Sequence, residues 1–231
     1  FLKDSLFILL VKCLSQAHVI GWVHMDPHRL ALDSRSQWFK KYVNWVVGKV
    51  DLWVSCAPSL VDSWPCFLRA QLTTVVSNGV SDDAGRFARL ADQQEKGEIC
   101  RIGYLSAMDR EKGWRELFRV ALQLCEVNND LEFHFHGGVG AGETEEKISS
   151  LFKHQPFVDR IVWHGTAWGE QKTIAFEKMD LYCFPSYTEA FPLSVLEAMS
   201  FSLPIVASRV GAIDDALVSN KGGWFCEARS Q

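Results

Sequence analysis

The fold is decided by residues 181–207, which read LYCFPSYTEAFPLSVLEAMSFSLPIVA. The apolar and aromatic run at 181–184 predicts a buried strand, and a polar loop follows it. Apolar positions then recur at helical spacing over 193–201, and a second apolar strand follows at 204–207. A strand, a helix and a strand in this order predict two parallel strands joined by a helical crossover.

The same alternation continues upstream as far as residue 99. The predicted strands of this part are Arg101–Leu105, Leu131–His136, Arg160–His164, Leu181–Phe184 and Pro204–Ala207, and the predicted helices are Trp114–Val127, Glu143–Phe152, Gln171–Glu177 and Leu193–Phe201. Strands that alternate with helices predict an α/β fold, with a parallel sheet and flanking helices.

The first eighty residues follow the same rule less regularly. The predicted helices are Leu2–Leu14, Ser36–Val47 and Pro58–Arg69, and the predicted strands are Val19–His24, Val50–Ser55 and Leu72–Val76. From 81 to 98 the composition becomes polar and charged, which predicts a linker with a helical piece. The chain of 231 residues therefore holds more than one unit at about 150 residues per domain.

Composition excludes several classes of protein. Hydrophobic residues make up 48% of the chain, which rules out a disordered or low-complexity protein. The 24 Lys and Arg against 28 Asp and Glu leave a net charge of −4, so we expect no nucleic-acid partner. The seven cysteines show no paired spacing, and we expect reduced thiols that mostly pack in the core, like most of the nine tryptophans.

Two carboxylates bracket the loop after the strand at 181–184. Glu189 lies before the helix and Glu197 lies inside it, where both could accept hydrogen bonds from one polyhydroxylated ligand. The start of that helix also offers free backbone N–H groups at the carboxyl edge of the sheet, where anions bind. The alternative is that Glu189 only favours the helix start and Glu197 is a solvated helix residue.

The run 180–207 resembles the signature of retaining glycosyltransferase family 4, a group of two-lobed (GT-B) sugar transferases. Its pattern has two Glu separated by seven residues, then an apolar helix, Pro and a Val-rich strand. Residues 104–114 are similar to the first strand, loop and helix of the family's donor domain, and 75–80 are similar to the link into that domain.

The resemblance implies a fold of two Rossmann-like lobes with an incomplete front lobe. Residues 1–80 would form the C-terminal half of the acceptor-side lobe, 81–98 the linker, and 99–231 a donor-binding lobe that lacks its C-terminal end. The chain opens on Phe1 rather than Met, and we expect a fragment truncated at both ends.

The resemblance also assigns roles to individual residues. Glu189 and His24 would contact the transferred sugar, Lys112 the diphosphate and Glu197 the ribose. The remaining donor-binding residues that it implies are Ser106, Ala107, Ala190, Phe191, Pro192, Leu193, Trp163, His164 and Gly165. Pro192 lacks an N–H, so one backbone donor of this loop is absent.

The implied activity is metal-independent transfer of a hexose, with retention of configuration, from a UDP-, GDP- or ADP-sugar to a hydroxyl acceptor such as a sugar or lipid-linked sugar. No cofactor or bound metal is expected. Family members commonly carry an Arg at the position of Ala107, and Arg110 or Arg209 would have to replace it. The alternative is therefore a weak or inactive nucleotide-sugar-binding protein.

Three other patterns each allow a functional and a structural interpretation. The alternation of His24, Asp26 and His28 could ligate a metal but has no convincing further ligand. The pair His134 and His136 shares one strand face, where packing or a hydrogen-bonded polar face is favoured. The glycine-rich run 137–142 fits no dinucleotide fingerprint and predicts a tight turn.

Three further expectations complete the sequence reading. Trp163 to Gly165 could border the nucleobase or serve only as a turn and core packing. A nicotinamide-dependent oxidoreductase would need a glycine fingerprint after a first strand, and the sequence has none. We expect a cytoplasmic protein, with peripheral contact to the inner face of the membrane left open.

Overall fold

The computed structural model describes residues 2–15, 17–23, 37–64, 72–81, 99–220 and 223–227. These residues divide into two compact units. The first comprises Phe1–Asn78 with Glu189–Phe191, and the second comprises Gly79–Thr188 with Pro192–Gln231. The domain boundaries predicted at 80 and 98 stay predictions, since all but the first residue of the predicted linker lies outside the described residues.

The first unit contains a small parallel sheet. Its strands are β1 (Ile20–Val23), β2 (Leu52–Ser55) and β3 (Thr73–Val75), in the order β1-β2-β3, and its helices are α1 (Leu2–Leu14), α2 (Gln37–Val47) and α3 (Pro58–Ser63). Val43 and Val47 of α2 pack with the buried Trp64 to form its core. The amphipathic spacing of α2 accounts for this packing, because residues four apart lie on one helix face.

The second unit contains a six-stranded sheet in which every pairing is parallel. Its strands are β4 (Cys100–Leu105), β5 (Leu131–His136), β6 (Ile161–Trp163), β7 (Leu181–Phe184), β8 (Ile205–Ser208) and β9 (Gly223–Cys226). They lie in the order β6-β5-β4-β7-β8-β9. The helices are α4 (Trp114–Val127), α5 (Glu145–Lys153), α6 (Glu170–Glu177), α7 (Leu193–Ser200) and α8 (Ile213–Asn220).

Two hydrophobic clusters hold this unit together. One joins the buried face of α4 to α5 and the strands β5 and β6, and Phe152 stands among its aromatic side chains, with ring centroids 4.8 Å from Phe118 and 5.1 Å from Phe135. The other joins β7 and β8 to α6, α7 and α8. Edge-to-face aromatic pairs add to the burial of apolar surface, so both clusters stabilise the sheet at its centre.

The parallel α/β class predicted from the sequence is confirmed, and α1, α4, β5 and β7 have the predicted bounds. The other ends shift by a residue or two, and the structure adds α8 and β9, which the sequence analysis did not predict. The helix predicted to reach Arg69 ends at Ser63, and 65–71 lie outside the described residues.

The expectation that most tryptophans lie in the core is wrong. Only Trp64 and Trp114 are buried, whereas five tryptophans are about half exposed or more: Trp22, Trp38, Trp45, Trp168 and Trp224. The six described cysteines are all free thiols, and Cys13 and Cys226 among them are exposed. The apolar character of a tryptophan side chain alone therefore does not predict that it is buried.

Candidate functional site

Strand order places the candidate site of the second unit. β4 pairs with β5 on one side and with β7 on the other, so the connections from β4 and from β7 leave the sheet beside each other. In an open parallel sheet, ligands bind at the carboxyl ends of the strands where the strand order reverses. The loops 106–113 and 185–192 follow these two strands.

Lys112 lies on a short 3₁₀ helix, Arg110–Lys112, in the loop after β4. The Asp109 carboxylate accepts a hydrogen bond from the Glu111 N–H at 2.7 Å and so caps this turn. The Lys112 N–H donates to the Asp109 carbonyl at 3.1 Å. The backbone of Lys112 is therefore held by local bonds.

The loop after β7 is tied to this turn. The Tyr187 N–H donates to the Glu111 carbonyl at 2.8 Å, and the Ser186 hydroxyl donates to the same oxygen at 3.2 Å. Gly113 has φ of +69°, and a Cβ there would collide with the Pro185 carbonyl oxygen. The close approach of the two loops thus requires glycine at this position.

The loops after β5 and β6 join the same edge. The Met108 N–H donates to the Gly138 carbonyl at 2.8 Å, and the Gly137 N–H donates to the Gly165 carbonyl at 2.8 Å. A Cβ at Gly137 would collide with the Ser106 carbonyl oxygen. The glycine-rich run therefore lets neighbouring loops approach each other, in keeping with the predicted turn.

The Glu loop divides between the two units. Glu189, Ala190 and Phe191 group with the first unit, where the Asn78 side-chain amide donates to the Phe191 carbonyl at 3.3 Å. Pro192 and Leu193 group with the second unit, and Pro192 precedes α7 without a side-chain cap. The roles predicted for these five residues stay predictions.

Glu197 is an ion-paired residue rather than a freely solvated one. Lys172 of α6 places its Nζ 2.6 Å from Oε1 and 2.5 Å from Oε2 of Glu197, and both side chains are about three-quarters buried. Lys172 was missed by the sequence analysis. No local signal points to it, because the two residues stand 25 positions apart and meet only through the packing of α6 against α7.

A cavity of about 510 Å³ surrounds this ion pair. Lys172, Glu197 and the exposed Trp168 are among its lining residues. The other lining residues are Gly79, Val80, Ser81, Gly169, Thr173, Phe176, Leu193, Ser200 and Phe201. The volume lies within the usual range for small-molecule sites, and the cavity combines charged and apolar walls.

In the segment 163–165, Trp163 and His164 have different surroundings. The Trp163 indole N–H donates to the Gly137 carbonyl at 3.0 Å, which fits the packing alternative for this residue. His164 lines a second cavity with His134 and His136. Neither Trp163 nor His164 lines the cavity around Glu197, and their predicted contact with a nucleobase stays a prediction.

Of the two arginines that could replace the missing family Arg, Arg209 is already engaged. Its guanidinium lies 3.6 Å from Asp214 and 4.5 Å from the centre of the Phe225 ring. Arg110 stands on the same 3₁₀ turn as Lys112. The turn thus carries two cations beside Ala107.

The remaining predictions concern the segment 24–28, metal binding and membrane contact. His24, Asp26 and His28 lie outside the described residues. Within the described ranges, no group of three or more metal-ligating side chains could hold a metal ion. Among the helices of those same ranges, none has the length and apolar character needed to cross a membrane.

Comparison with known proteins supplies the family. The family described as "Glycosyl transferases group 1" matches residues 89–231. An uncharacterized glycosyltransferase of Haemophilus influenzae is 33% identical over 134 residues, which are 58% of this chain and 36% of that protein. A glycogen synthase of Mycobacterium tuberculosis is 25% identical over 193 residues, 80% of this chain and 44% of that protein. The chain therefore spans well under two thirds of these relatives.

Solved structures share the fold. The sucrose-phosphate synthase of Thermosynechococcus elongatus superposes with a TM-score of 0.75 at 16% identity, over 98% of this chain and 59% of its own. Anabaena HepE, solved with UDP and glucose, superposes with a TM-score of 0.71 at 16% identity, over 97% and 62%. These likenesses confirm the GT-B type of α/β fold. Because the family match covers more than half of the chain, this protein belongs to the glycosyl transferases group 1 family.

Proposed function

We propose that this chain carries the donor-binding part of a retaining glycosyltransferase, which moves a hexose from a nucleoside diphosphate sugar to a hydroxyl acceptor. In this reaction the bond between the anomeric carbon and the phosphate oxygen breaks, the acceptor oxygen forms a new bond to the same carbon, and the acceptor hydroxyl releases its proton. The diphosphate leaves with additional negative charge. A cation held near it lowers the barrier, because the charge develops in the transition state.

One observation carries the proposal: Lys112 stands on a capped turn at the point where the strand order reverses. Its backbone is held by Asp109, and the neighbouring Glu111 carbonyl is held by the loop after β7. A lysine on so rigid a loop loses little entropy when it binds a diphosphate. We assign Lys112 to the diphosphate, which the transferase would stabilise without a metal.

The other roles follow the family resemblance. Glu197, kept in place by Lys172, would accept hydrogen bonds from the ribose hydroxyls, and Glu189 and His24 would contact the sugar. Ala190, Phe191, Pro192 and Leu193 would line the sugar and phosphate, and Ser106 and Ala107 the diphosphate. The UDP and sugar bound by Anabaena HepE support a nucleotide-sugar donor here too.

The second candidate is a nucleotide-sugar-binding protein with weak or no turnover. The observation that favours it is Ala107, which replaces a cationic side chain, while Arg209 is engaged by Asp214 and Phe225. Loss of one donor that stabilises developing negative charge costs roughly 3 to 4 kcal/mol of transition-state stabilisation in other enzymes. Binding would survive such a loss better than turnover.

Calorimetry of the 231-residue chain with UDP, GDP and ADP tests binding, and release of hexose from the matching donor tests turnover. We expect one nucleotide to bind, and we expect Lys112→Ala to weaken its binding at least about tenfold. Lys153→Ala is the matched control, because Lys153 is exposed on α5. Binding that Lys112→Ala leaves unchanged would exclude the assigned role of Lys112, and binding without any hexose release would favour the second candidate.

A further inference from the structure

The second cavity lies on the sheet face that carries the two alternating histidines of β5. It has a volume of about 490 Å³ and lies between β4, β5, the end of β6, and α6. The polar and charged side chains that line it are Arg101, His134, His136, His164, Gln171 and Lys178. None of them lines the cavity around Glu197, so the two cavities have separate walls.

Three imidazoles form a stacked cluster in this cavity. The rings of His136 and His164 lie nearly parallel with centroids 4.5 Å apart, and those of His134 and His164 have centroids 5.2 Å apart. His134 Nδ1 is 2.9 Å from His164 Nε2, and His134 Nε2 is 3.2 Å from the Glu132 carboxylate. The cluster therefore has a defined hydrogen-bond order.

The Glu132 carboxylate fixes one end of this order. A carboxylate only accepts, so the His134 ring donates from Nε2 to Glu132. His134 Nδ1 and His164 Nε2 share the second hydrogen bond.

The cavity has an excess of positive charge. Arg101 and Lys178 contribute two permanent cations, and none of the described residues that line the cavity is acidic. Glu132, just outside this lining, is shared by Arg101 at 3.4 Å and by His134. Asp180 accepts the Arg101 backbone N–H at 2.7 Å. Lys178 has no ion pair within the described ranges.

The surroundings also favour the neutral forms of His136 and His164. Burial, His164, His134 and Lys178 lower the pKa of His136 to about 3. Burial, His134 and Lys178 lower the pKa of His164 in the same direction. Burial disfavours any charge, whereas the positive charge of Lys178, which acts on both rings, also attracts an anion.

We propose that this cavity is a binding site for a small phosphorylated anion, either inorganic phosphate or a phosphate ester such as a hexose phosphate. Lys178 and Arg101 would supply the charge, Gln171 an amide N–H, and the neutral His136 ring one further N–H. Arg101 shares Glu132, so Lys178 supplies the uncompensated charge that attracts the dianion. The cavity volume exceeds what inorganic phosphate needs and suits a ligand of hexose phosphate size. The proposal does not depend on the function proposed above.

Nuclear magnetic resonance of the histidine rings, recorded on the full chain, tests the site. Sulfate is the first probe, since its charge stays constant while the histidines titrate. We expect sulfate to raise the titration midpoints of His136 and His164 and to bind more tightly as the pH falls toward those midpoints. Glucose 6-phosphate against inorganic phosphate then distinguishes the ester from the free anion, and glucose is the uncharged control.

Three variants test which lysine is needed for the response of the histidines to sulfate. We expect Lys178→Gln to weaken sulfate binding by about tenfold, the loss of one charge-assisted hydrogen bond. Lys153→Gln controls for the change in net charge, and Lys112→Gln removes the cation assigned to the donor diphosphate. Both should leave the histidine midpoints responsive to sulfate. The proposal fails if Lys112→Gln abolishes the response, if Lys178→Gln leaves it intact, or if none of the anions moves the midpoints.

Discussion

At the scale of single residues, the ion pair between Lys172 and Glu197 connects the proposed site to stability. Each side chain is about a quarter exposed, so the pair lies between a surface salt bridge and a fully buried one. Surface pairs contribute about 0–1 kcal/mol, whereas removal of one partner from a buried pair costs about 3–5 kcal/mol. An intermediate value follows for this pair.

We expect Lys172→Met to lower the free energy of unfolding by about 1–3 kcal/mol, because Glu197 loses its partner while it remains largely covered. Urea denaturation followed by fluorescence measures the change. The double variant Lys172→Met with Glu197→Gln should cost less than the sum of the single changes. Additive costs would show that the two side chains do not interact, and Lys153→Met, at an exposed lysine, serves as the control for the substitution.

At the scale of elements, the second unit depends on backbone conformations that side-chain patterns do not reveal. Gly113 takes φ of +69° immediately before α4, where its hydrogen atom faces the Pro185 carbonyl. Ser202 takes φ of +57° just after α7. Both positions let the chain turn sharply at a helix end.

We expect Gly113→Ala to destabilise the fold by at least about 2 kcal/mol more than Gly142→Ala. Both glycines have positive φ, so both variants include the cost of a left-handed conformation, about 1–2 kcal/mol. Only Gly113 has a backbone carbonyl in the way, whereas nothing lies within 4 Å of a Cβ at Gly142. Equal losses in urea denaturation would mean that the loops after β4 and β7 do not approach as described.

At the scale of the whole molecule, the histidine cluster makes stability depend on pH. His136 takes up a proton near pH 6.5 in the unfolded chain but only near pH 3 in the folded one. Between these values the unfolded state binds more protons, so the free energy of unfolding falls as the pH falls. Above about pH 6.5, His136 is neutral in both states and no longer affects how the free energy of unfolding depends on pH.

Urea denaturation between pH 7.5 and 5 should therefore show stability decreasing toward acid, with a slope from His136 of up to about 1.4 kcal/mol per pH unit. His136→Gln should reduce this slope, because its amide does not titrate. His154→Gln is the control at an exposed histidine that immediately follows α5. A slope that His136→Gln leaves unchanged would contradict the burial of a neutral His136.

Sequence reasoning succeeded where the deciding forces are local. Apolar periodicity gave α4, β5 and β7 their bounds, because the burial of one helix face or one strand depends on neighbouring residues. The parallel sheet followed from the helical crossovers. Failures occurred where no repeat continued, as at α8 and β9, and where apolar character was taken for burial, as at Trp38.

The sequence by itself determined the alternation of strands and helices, the paired Glu pattern, and hence the family resemblance. Only the tertiary structure decided the strand order, the partner of Glu197, and the meeting of His134, His136 and His164. These depend on contacts between residues from different elements. Lys172 and Glu197 stand 25 positions apart, and His134 and His164 stand 30 positions apart. Such contacts are set by how the crossovers wind about the sheet, and a local pattern of residues carries no record of that winding.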